Sequence, residues 1–362
     1  MAFNYYTIII GFLIGFILFF KLPRLKKAKC VKADDIKVSI IIPARNEEDN
    51  LPKLLADLKN QSYDIHEIIC VDDNSEDKTP EVIRSFGVKC VQLDDLPEGW
   101  KGKTWACQNG ATAATGEVLL FIDADVRLSV NAIESLVVRY IRNGKPLSVQ
   151  PYHTVKKQHE FFSLFFNLIE ICVTGMSVLG IKKKSGFYGP LFMISKELFD
   201  KHSGYTNVKN DVIEDFNLGR YYNKQGIDID LILGSEHVQF SMYPKSFGSL
   251  FEGWSKNFAS GSISMLWWLL VLVFAWIAFM TVLPFEIINV ALNWNLPILI
   301  LLSILYIVSV GLIYRALRNT GSYPLYVCIL YPVYLIVFHI IFIYSIFATF
   351  VFKSTTWKGR VL

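Results

Sequence analysis

EVLLFIDADVRL, residues 117–128, joins an apolar run to a pair of acids. Val118 to Ile122 has the pattern of a strand buried on both faces. It stops at Asp123-Ala124-Asp125. Residues two apart in an extended chain point to the same side, so Asp123 and Asp125 share one small volume at the strand end. Two carboxylates that close repel unless something positive lies between them, and a divalent cation with oxygen ligands meets that need. A plain turn is the alternative, because Asp is common where strands end.

Working outward, the same strand–loop–helix unit recurs. KVSIIIPARNEE is a strand entering a polar loop, with DNLPKLLADLKNQ as the helix after it; HEIICVDDNSEDKTPEVIRSF repeats the unit; KCVQL is a third strand, and GKTWACQNGATAAT a helix. Alternation with short loops predicts an α/β fold with a mostly parallel sheet, whose ligands bind beyond the carboxyl ends of the strands. Three of these ends carry polar clusters: Arg45-Asn46-Glu47-Glu48, Asp72-Asp73-Asn74-Ser75 and Asp123-Ala124-Asp125. Their convergence on one rim weighs against the turn-only reading. No G-x-G-x-x-G follows the first strand and no P-loop is present, which excludes those two phosphate-binding devices. Carboxylates with a few basic groups (Arg45, Lys101, Lys103) instead suit a nucleoside diphosphate whose phosphates complete the shell of a metal.

The 362 residues are 52% hydrophobic and 14% aromatic, with a mean hydropathy of +0.37. That balance points to membrane segments. A net charge of +4 is too small to suggest a nucleic-acid partner. The six cysteines show no C-x-x-C or zinc spacing; Cys70 and Cys107 read as small buried hydrophobes in a reducing compartment. An uncharged run, residues 5–20, precedes a basic flank from Lys21 to Lys32. A signal peptide has the reverse order, so residues 1–24 read as an uncleaved anchor with its following flank in the cytoplasm. Residues 36–250 read as a globular domain, 251–264 as an interfacial segment, 265–352 as a transmembrane region and 353–362 as a tail. Within the domain, the apolar stretch 160–184 reads as a helix at the membrane interface, its tail of Lys182, Lys183 and Lys184 near headgroups, or as a buried helix. Three C-terminal spans would place Lys353, Lys358 and Arg360 outside, against the positive-inside tendency. Either Leu325–Phe352 is a bent or re-entrant pair, or the charge rule fails here.

VSIIIPARNEE, VDDNSEDKT, GKTWACQNGA, FIDADV and VIEDFNLGRYYNKQG resemble, in order, the successive motifs of the family 2 glycosyltransferases. Each is weakly specific; the ordered set is highly so. The resemblance implies the GT-A fold, a nucleotide-sugar donor, a divalent metal (Mg2+ or Mn2+) and inversion at the anomeric carbon. LSVQPYHTV, GPLFMISKELFDKHSGY, FGSLFEGWSKNFASG and WKGR are similar to the branch of that family acting in carotenoid synthesis. This implies a UDP-sugar, with glucose expected, and a hydrophobic carotenoid acid as acceptor. Polyprenyl phosphate, diacylglycerol or a ceramide-like lipid is the alternative.

Carried over residue by residue, the resemblance puts Pro43, Ala44, Arg45, Glu47 and Asp73 at the nucleoside. Lys103 falls in the family's basic loop. Asp125 becomes the leading metal ligand, with Asp123 beside it toward ribose or metal. Glu214 and Asp215 match the acceptor-side acid pair, with Asp215 as general base; its structural alternative is a helix N-cap. The family's Q-x-x-R-W motif is replaced by FEGWSKN, residues 251–257. Trp254 and Lys256 stand in for it on the acceptor side, and the departure argues against a processive polymer synthase. A transporter would carry intramembrane charges, yet the C-terminal runs hold little beyond Glu286 and His339. A non-catalytic nucleotide-sugar-binding membrane protein would have no use for Asp215. The expected location is the cell membrane, multi-pass, in contact with membrane lipid, with the catalytic domain cytoplasmic.

Overall fold

Apolar runs without alternation form strands covered on both faces, and the chain uses them at the centre of one seven-stranded sheet. Its strands are β1 (Val38–Ala44), β2 (Glu67–Asp73), β3 (Lys89–Leu93), β4 (Val118–Ile122), β5 (Leu147–Gln150), β6 (Leu191–Ser195) and β7 (Asp230–Leu233). The order is β3-β2-β1-β4-β6-β5-β7. All neighbours are parallel except β6, which runs against both β4 and β5. The computed structural model describes residues 2–28, 36–181, 184, 186–211, 213–263, 267–348, 356–357 and 360–361.

From β1 the chain steps outward to β2 and β3 on one side, then crosses to β4 on the other. Such a reversal opens a crevice beyond the carboxyl ends of the two central strands. Because β6 is reversed, its amino end lies at the same rim, and the Asp123 amide donates to the Pro190 carbonyl at 3.0 Å. Helix Gly102–Ala113 packs on β1 and β2. Gly110 permits the close approach, since a Cβ there would overlap the Ile41 side chain and stand 3.0 Å from Val71.

The sheet belongs to one of two compact units, Pro23–His153 with Lys183–Ser241. The other unit takes Met1–Leu22, Thr154–Lys182 and Met242–Leu362. In this second unit two helices, Trp267–Leu292 and Leu296–Thr320, are long and apolar enough to cross a membrane. The N-terminal helix Ala2–Leu18 is apolar but has 17 residues, less than the usual span of ~20. The stretch expected as one helix over 160–184 divides: a 3-10 turn, Gln158–Ser163, leads into a helix, Leu164–Val173, that ends well before the lysines. That helix is buried along most of its length, against helices Trp267–Leu292, Leu296–Thr320 and Tyr331–Phe347. It is buried, but among the apolar helices of the second unit and not within the sheet unit as a helix of the globular domain would be. Lys182 and Lys183 lie outside the described residues.

Leu325–Phe352 is not one continuous span. Helix Leu325–Ile329 breaks at Leu330, and a second helix, Tyr331–Phe347, follows. Tyr331 donates to the Met280 carbonyl and stacks on Tyr306 at 5.2 Å. Eleven residues later, Phe342 faces Phe274 at 5.8 Å. As the last helix advances, its partners on Trp267–Leu292 move back toward that helix's start. It therefore begins midway along Trp267–Leu292 and returns toward the end where Trp267 lies. Arg315 donates to the Phe19 and Phe20 carbonyls at 3.2 and 3.3 Å. Phe19 meets Trp276 at 5.0 Å and Phe12 meets Phe279 at 6.2 Å, so the N-terminal helix runs antiparallel to Trp267–Leu292. The end of the N-terminal helix thus lies beside the first half of Trp267–Leu292 and the last turns of Leu296–Thr320.

Candidate active site

The rim of the sheet unit gathers side chains from six places in the sequence. On one side, the loops after β1 and β2 are laced together. The Asn46 amide donates to Ser75 Oγ at 3.0 Å and the Glu76 amide to Asn46 Oδ1 at 2.9 Å. The Glu47 amide donates to Thr79 Oγ1 at 2.8 Å, and the Glu48 amide to Asp77 Oδ2 at 3.1 Å. Asn46 and Asn74 both adopt left-handed backbone, φ 54 and 53°, a conformation Asn tolerates better than most residues. Arg45 lies across this seam. Its guanidinium donates to the Asp73 carbonyl at 3.0 Å and stands 3.6 Å from the Asp73 carboxylate. Pro43 and Ala44 end β1 opposite Val71 and Asp72. The residues expected at the nucleoside (Pro43, Ala44, Arg45, Glu47 and Asp73) therefore occupy one fixed pair of loops.

On the other side a single ammonium holds the carboxylates together. Lys103 Nζ is 2.9 Å from Asp123 Oδ1, 2.9 Å from Asp215 Oδ2 and 3.7 Å from Glu214 Oε1. Burial alone would lower its pKa, but Asp123, Asp215 and Glu214 win and hold it well above the usual lysine range. Lys103 is in the first turn of helix Gly102–Ala113, where the helix dipole disfavours a cation. Glu214 and Asp215 open helix Glu214–Lys224, where the dipole favours anions. Asp215 is not the N-cap: Ile213 is, and Asp215 lies inside the first turn. Its side chain is 6% exposed, and its second oxygen, Oδ1, accepts a hydrogen bond from the Tyr205 hydroxyl at 2.5 Å.

Asp125 stands exposed beside this cluster and forms no ion pair with the described residues. Protein packed around the site displaces water, and the Asp123 and Glu47 carboxylates add like charge; together they push its carboxyl up to about 7. Among the described residues no three His, Cys, Asp or Glu side chains are grouped closely enough to hold a metal by themselves. The donor set still suits a hard divalent cation completed by phosphate oxygens, since one or two carboxylates suffice for that. Asp125, exposed beside the lysine cluster and in no ion pair with the described residues, is the observation that fits it.

Trp254 and Lys256 lie on helix Phe247–Ile263 of the other unit. The Trp254 indole is buried there, donating to Ser163 Oγ at 3.0 Å and stacked on Phe166 at 4.5 Å. Those contacts are packing contacts. The Lys256 side chain lies outside the described residues. Sequence reasoning missed Tyr205 and Gly189. The space beside Asp215 depends on Gly189: a Cβ there would stand 2.6 Å from Asp215 Oδ2. Neither residue carries a spacing signal; both fall only within a stretch quoted for its family likeness.

With this geometry in view, comparison with known proteins is informative. Residues 39–203 match the family model for glycosyl transferase family 2. A relative in Staphylococcus aureus (strain USA300), named 4,4'-diaponeurosporenoate glycosyltransferase, is 31% identical over 342 residues, covering 92% of this chain and 90% of that one. The chain belongs to the family 2 glycosyltransferases. A second relative of the same name, in Staphylococcus haemolyticus (strain JCSC1435), is 37% identical over 246 residues, covering 66% of this chain and 65% of that one. Among solved structures, the mannosyltransferase PcManGT from Pyrobaculum calidifontis, in complex with GDP-Man and Mn2+, aligns with a TM-score of 0.53 at 15% identity. The alignment covers 94% of this chain and 95% of that one. At that identity the likeness shows the fold alone: a GT-A, mostly parallel α/β sheet. The family match includes Lys103, Asp123 and Asp125 but stops short of Tyr205, Glu214 and Asp215.

The charge cluster yields a pH-dependent stability. Burial first, then the neighbouring Asp215 carboxylate, pushes the Glu214 carboxyl from 4.5 up to about 7. The folded state thus holds this proton more tightly than the unfolded chain does. The stability it contributes is fully present below pH 4.5 and is lost as pH rises through about 7. Glu214→Gln removes that loss. In thermal unfolding of the detergent-solubilised protein, the variant is expected to match the parent at low pH and exceed it increasingly as pH rises to 8. A difference that stays constant with pH contradicts the assignment.

Proposed function

We propose that this glycosyltransferase is membrane-bound and inverting, and that it moves a sugar, glucose in this reading, from a UDP-sugar to the carboxylate of a carotenoid acid such as 4,4'-diaponeurosporenoate. The observation that carries the proposal is the likeness, over 92% of the chain, to a relative with that activity in its name. In this reading Pro43, Ala44, Arg45, Glu47 and Asp73 receive the nucleoside. Asp125, with Asp123, holds Mg2+ or Mn2+. When bound, the metal supplies positive charge against the charge that grows on the departing diphosphate. Lys103, already 2.9 Å from Asp123, adds a second cation on that side of the site.

The acceptor chemistry agrees with the state of Asp215. A carboxylic acid has lost its proton by neutral pH, so its oxygen can attack the anomeric carbon as the bond to the diphosphate breaks and the diphosphate leaves with the electron pair. No base is required. A hydroxyl acceptor, by contrast, needs a carboxylate oxygen free to take its proton. Both Asp215 oxygens already accept hydrogen bonds, from Lys103 and from Tyr205. In this reading Asp215 therefore acts through Lys103: its Oδ2 holds the ammonium, and the ammonium meets the acceptor carboxylate. The acceptor-side role that the family likeness implies for Trp254 is not part of this reading, because its indole is taken up by packing on Ser163 and Phe166.

The test is incubation of the membrane fraction with UDP-glucose and 4,4'-diaponeurosporenoate. An alkali-labile sugar ester of the carotenoid is expected. Transfer confined to polyprenyl phosphate, diacylglycerol or a ceramide would overturn the acceptor. Metal dependence is a separate test: EDTA and Asp125→Ala should each abolish transfer, with Mn2+ or Mg2+ restoring only the EDTA-treated parent. Full activity under either treatment removes Asp125 from the metal site.

We also place the chain in the membrane as a multi-pass protein with the catalytic domain cytoplasmic. The basic flank beginning at Lys21, with Arg315 and Arg318 at the end of Leu296–Thr320, marks the cytoplasmic level. Tyr331–Phe347 returns to that same level. The segment Leu325–Phe347 then acts as a re-entrant pair rather than a third C-terminal span, and the parity conflict in the sequence disappears. A cysteine placed in the tail after residue 353 should react with impermeant maleimide only when cells are opened. Labelling of intact cells contradicts the re-entrant arrangement.

A further inference from the structure

The Tyr205 phenol is wholly buried, out of reach of any substrate, yet it makes a 2.5 Å hydrogen bond to the carboxylate that serves the acceptor side in the reading above. We propose that Tyr205 is a positioning residue: it locks Oδ1 of Asp215, so that Oδ2 holds the Lys103 ammonium where it meets the acceptor carboxylate. This rests on the proposal that Asp215 serves the acceptor side of the reaction.

The surroundings are built to hold the phenol still. Its ring stands among Phe121, Phe192 and Phe199 at centroid distances of 5.9, 6.3 and 6.1 Å. Its amide donates to Gln108 Oε1 at 2.9 Å. Tyr205 lies in a 3-10 turn, Gly204–Val208, that opens at a glycine with φ +49°. A Cβ on Gly204 would overlap the Phe199 ring and stand 2.6 Å from Gln108 Oε1. Burial, and then the charge of Asp215, hold the Tyr205 hydroxyl well above the usual tyrosine range, so it remains a donor.

Oδ2 has the opposite environment. Gly189 keeps the space beside it clear of any side chain, and Lys103 is its hydrogen-bond donor. Lys103 has a side chain 31% exposed to solvent, so its ammonium can pair with the acceptor carboxylate while Oδ2 holds it. The two oxygens of one carboxylate are thus assigned different duties by the fold. A carboxylate turned by a fraction of its rotation would displace that ammonium and the acceptor with it, and misplacement on the scale of 1 Å can cost about 100-fold in rate.

Tyr205→Phe keeps the ring in its cage and deletes the hydroxyl. With UDP-glucose and 4,4'-diaponeurosporenoate as probes, kcat for transfer should fall roughly ten- to a hundredfold while KM for UDP-glucose stays nearly constant. The deciding measurement is a double-mutant cycle. If Tyr205 acts through Asp215, Tyr205→Phe adds no further loss in an Asp215→Asn background. Additive losses, or an unimpaired Tyr205→Phe, overturn the proposal. An Asp215→Asn variant with full activity would instead remove the acceptor-side reading on which it rests. Should Tyr205→Phe fail to fold, Gly189→Ala serves as the second variant: a methyl group against Oδ2 should lower kcat and spare the donor KM, and unchanged kcat counts against the proposal.

Discussion

Four carboxylates stand at the rim of one sheet, and a single ammonium answers for three of them. Asp123, Glu214 and Asp215 all lie within 3.7 Å of Lys103 Nζ; Asp125 is left to solvent. Removing a partner from a buried ion pair usually costs about 3–5 kcal/mol, because the remaining charge is left uncompensated. A group that is one-third exposed recovers part of that from water. The arrangement is therefore tolerable but not relaxed. Lys103 opposes the dipole of its own helix, and burial, followed by neighbouring carboxylates, raises the carboxyls of Asp125 and Glu214. Local rules broken at one place, inside a fold that obeys them elsewhere, mark a functional site.

Backbone geometry brings this charge together. The reversal of strand order at β1 separates the loops after β1 and β2 from Asp123, while the antiparallel β6 brings the Gly189-Pro190 turn to the same rim. Beneath the rim runs an aromatic column. Phe187 stacks on Phe192 at 4.8 Å and Phe192 on Phe121 at 4.5 Å, and Tyr205 leans against the column. Phe121 belongs to β4 and lies two residues before Asp123. The strand that presents Asp123 thus also supports the phenol bonded to Asp215. A shift of β4 would move both, which ties the two halves of the site to one rigid element.

Much of this was legible in the sequence, and the limits have physical causes. Apolar runs ending in polar clusters are a local signal, so β1, β2, β4 and their rim acids could be read directly, as could the alternation that makes the sheet mostly parallel. The reversal of β6 could not be read, because its LFMIS run looks the same in either direction. The lysine bridge is a tertiary fact: residues 103, 123 and 215 are joined by charge, not by spacing. Tyr205 and Gly189 carry no charge pattern at all, and their parts emerge only once Asp215 is placed between them. The N-cap alternative to a functional Asp215 falls away because Ile213 occupies that position, a distinction finer than sequence can fix at helix ends.

The apolar C-terminal stretch shows the same limit in another solvent. Hydropathy measures length and composition, and by both measures residues 325–352 were long enough to cross a bilayer. What hydropathy does not register is where a helix turns back. A break inside an apolar medium leaves backbone groups that lipid cannot satisfy, so it persists only where protein supplies the partners. Here the partners are remote in sequence. The Tyr306 hydroxyl donates to the Ile329 carbonyl at 2.5 Å, and the Tyr331 hydroxyl to the Met280 carbonyl at 3.2 Å. Pro332 enters the second helix in its first turn, where a missing N–H is harmless. The face left outward carries Val333, Ile336, Ile340, Ile343 and Phe347, spaced three and four apart as one helical stripe suited to hydrocarbon. Two tyrosines and a proline thereby convert what composition presents as one long span into a break and a return.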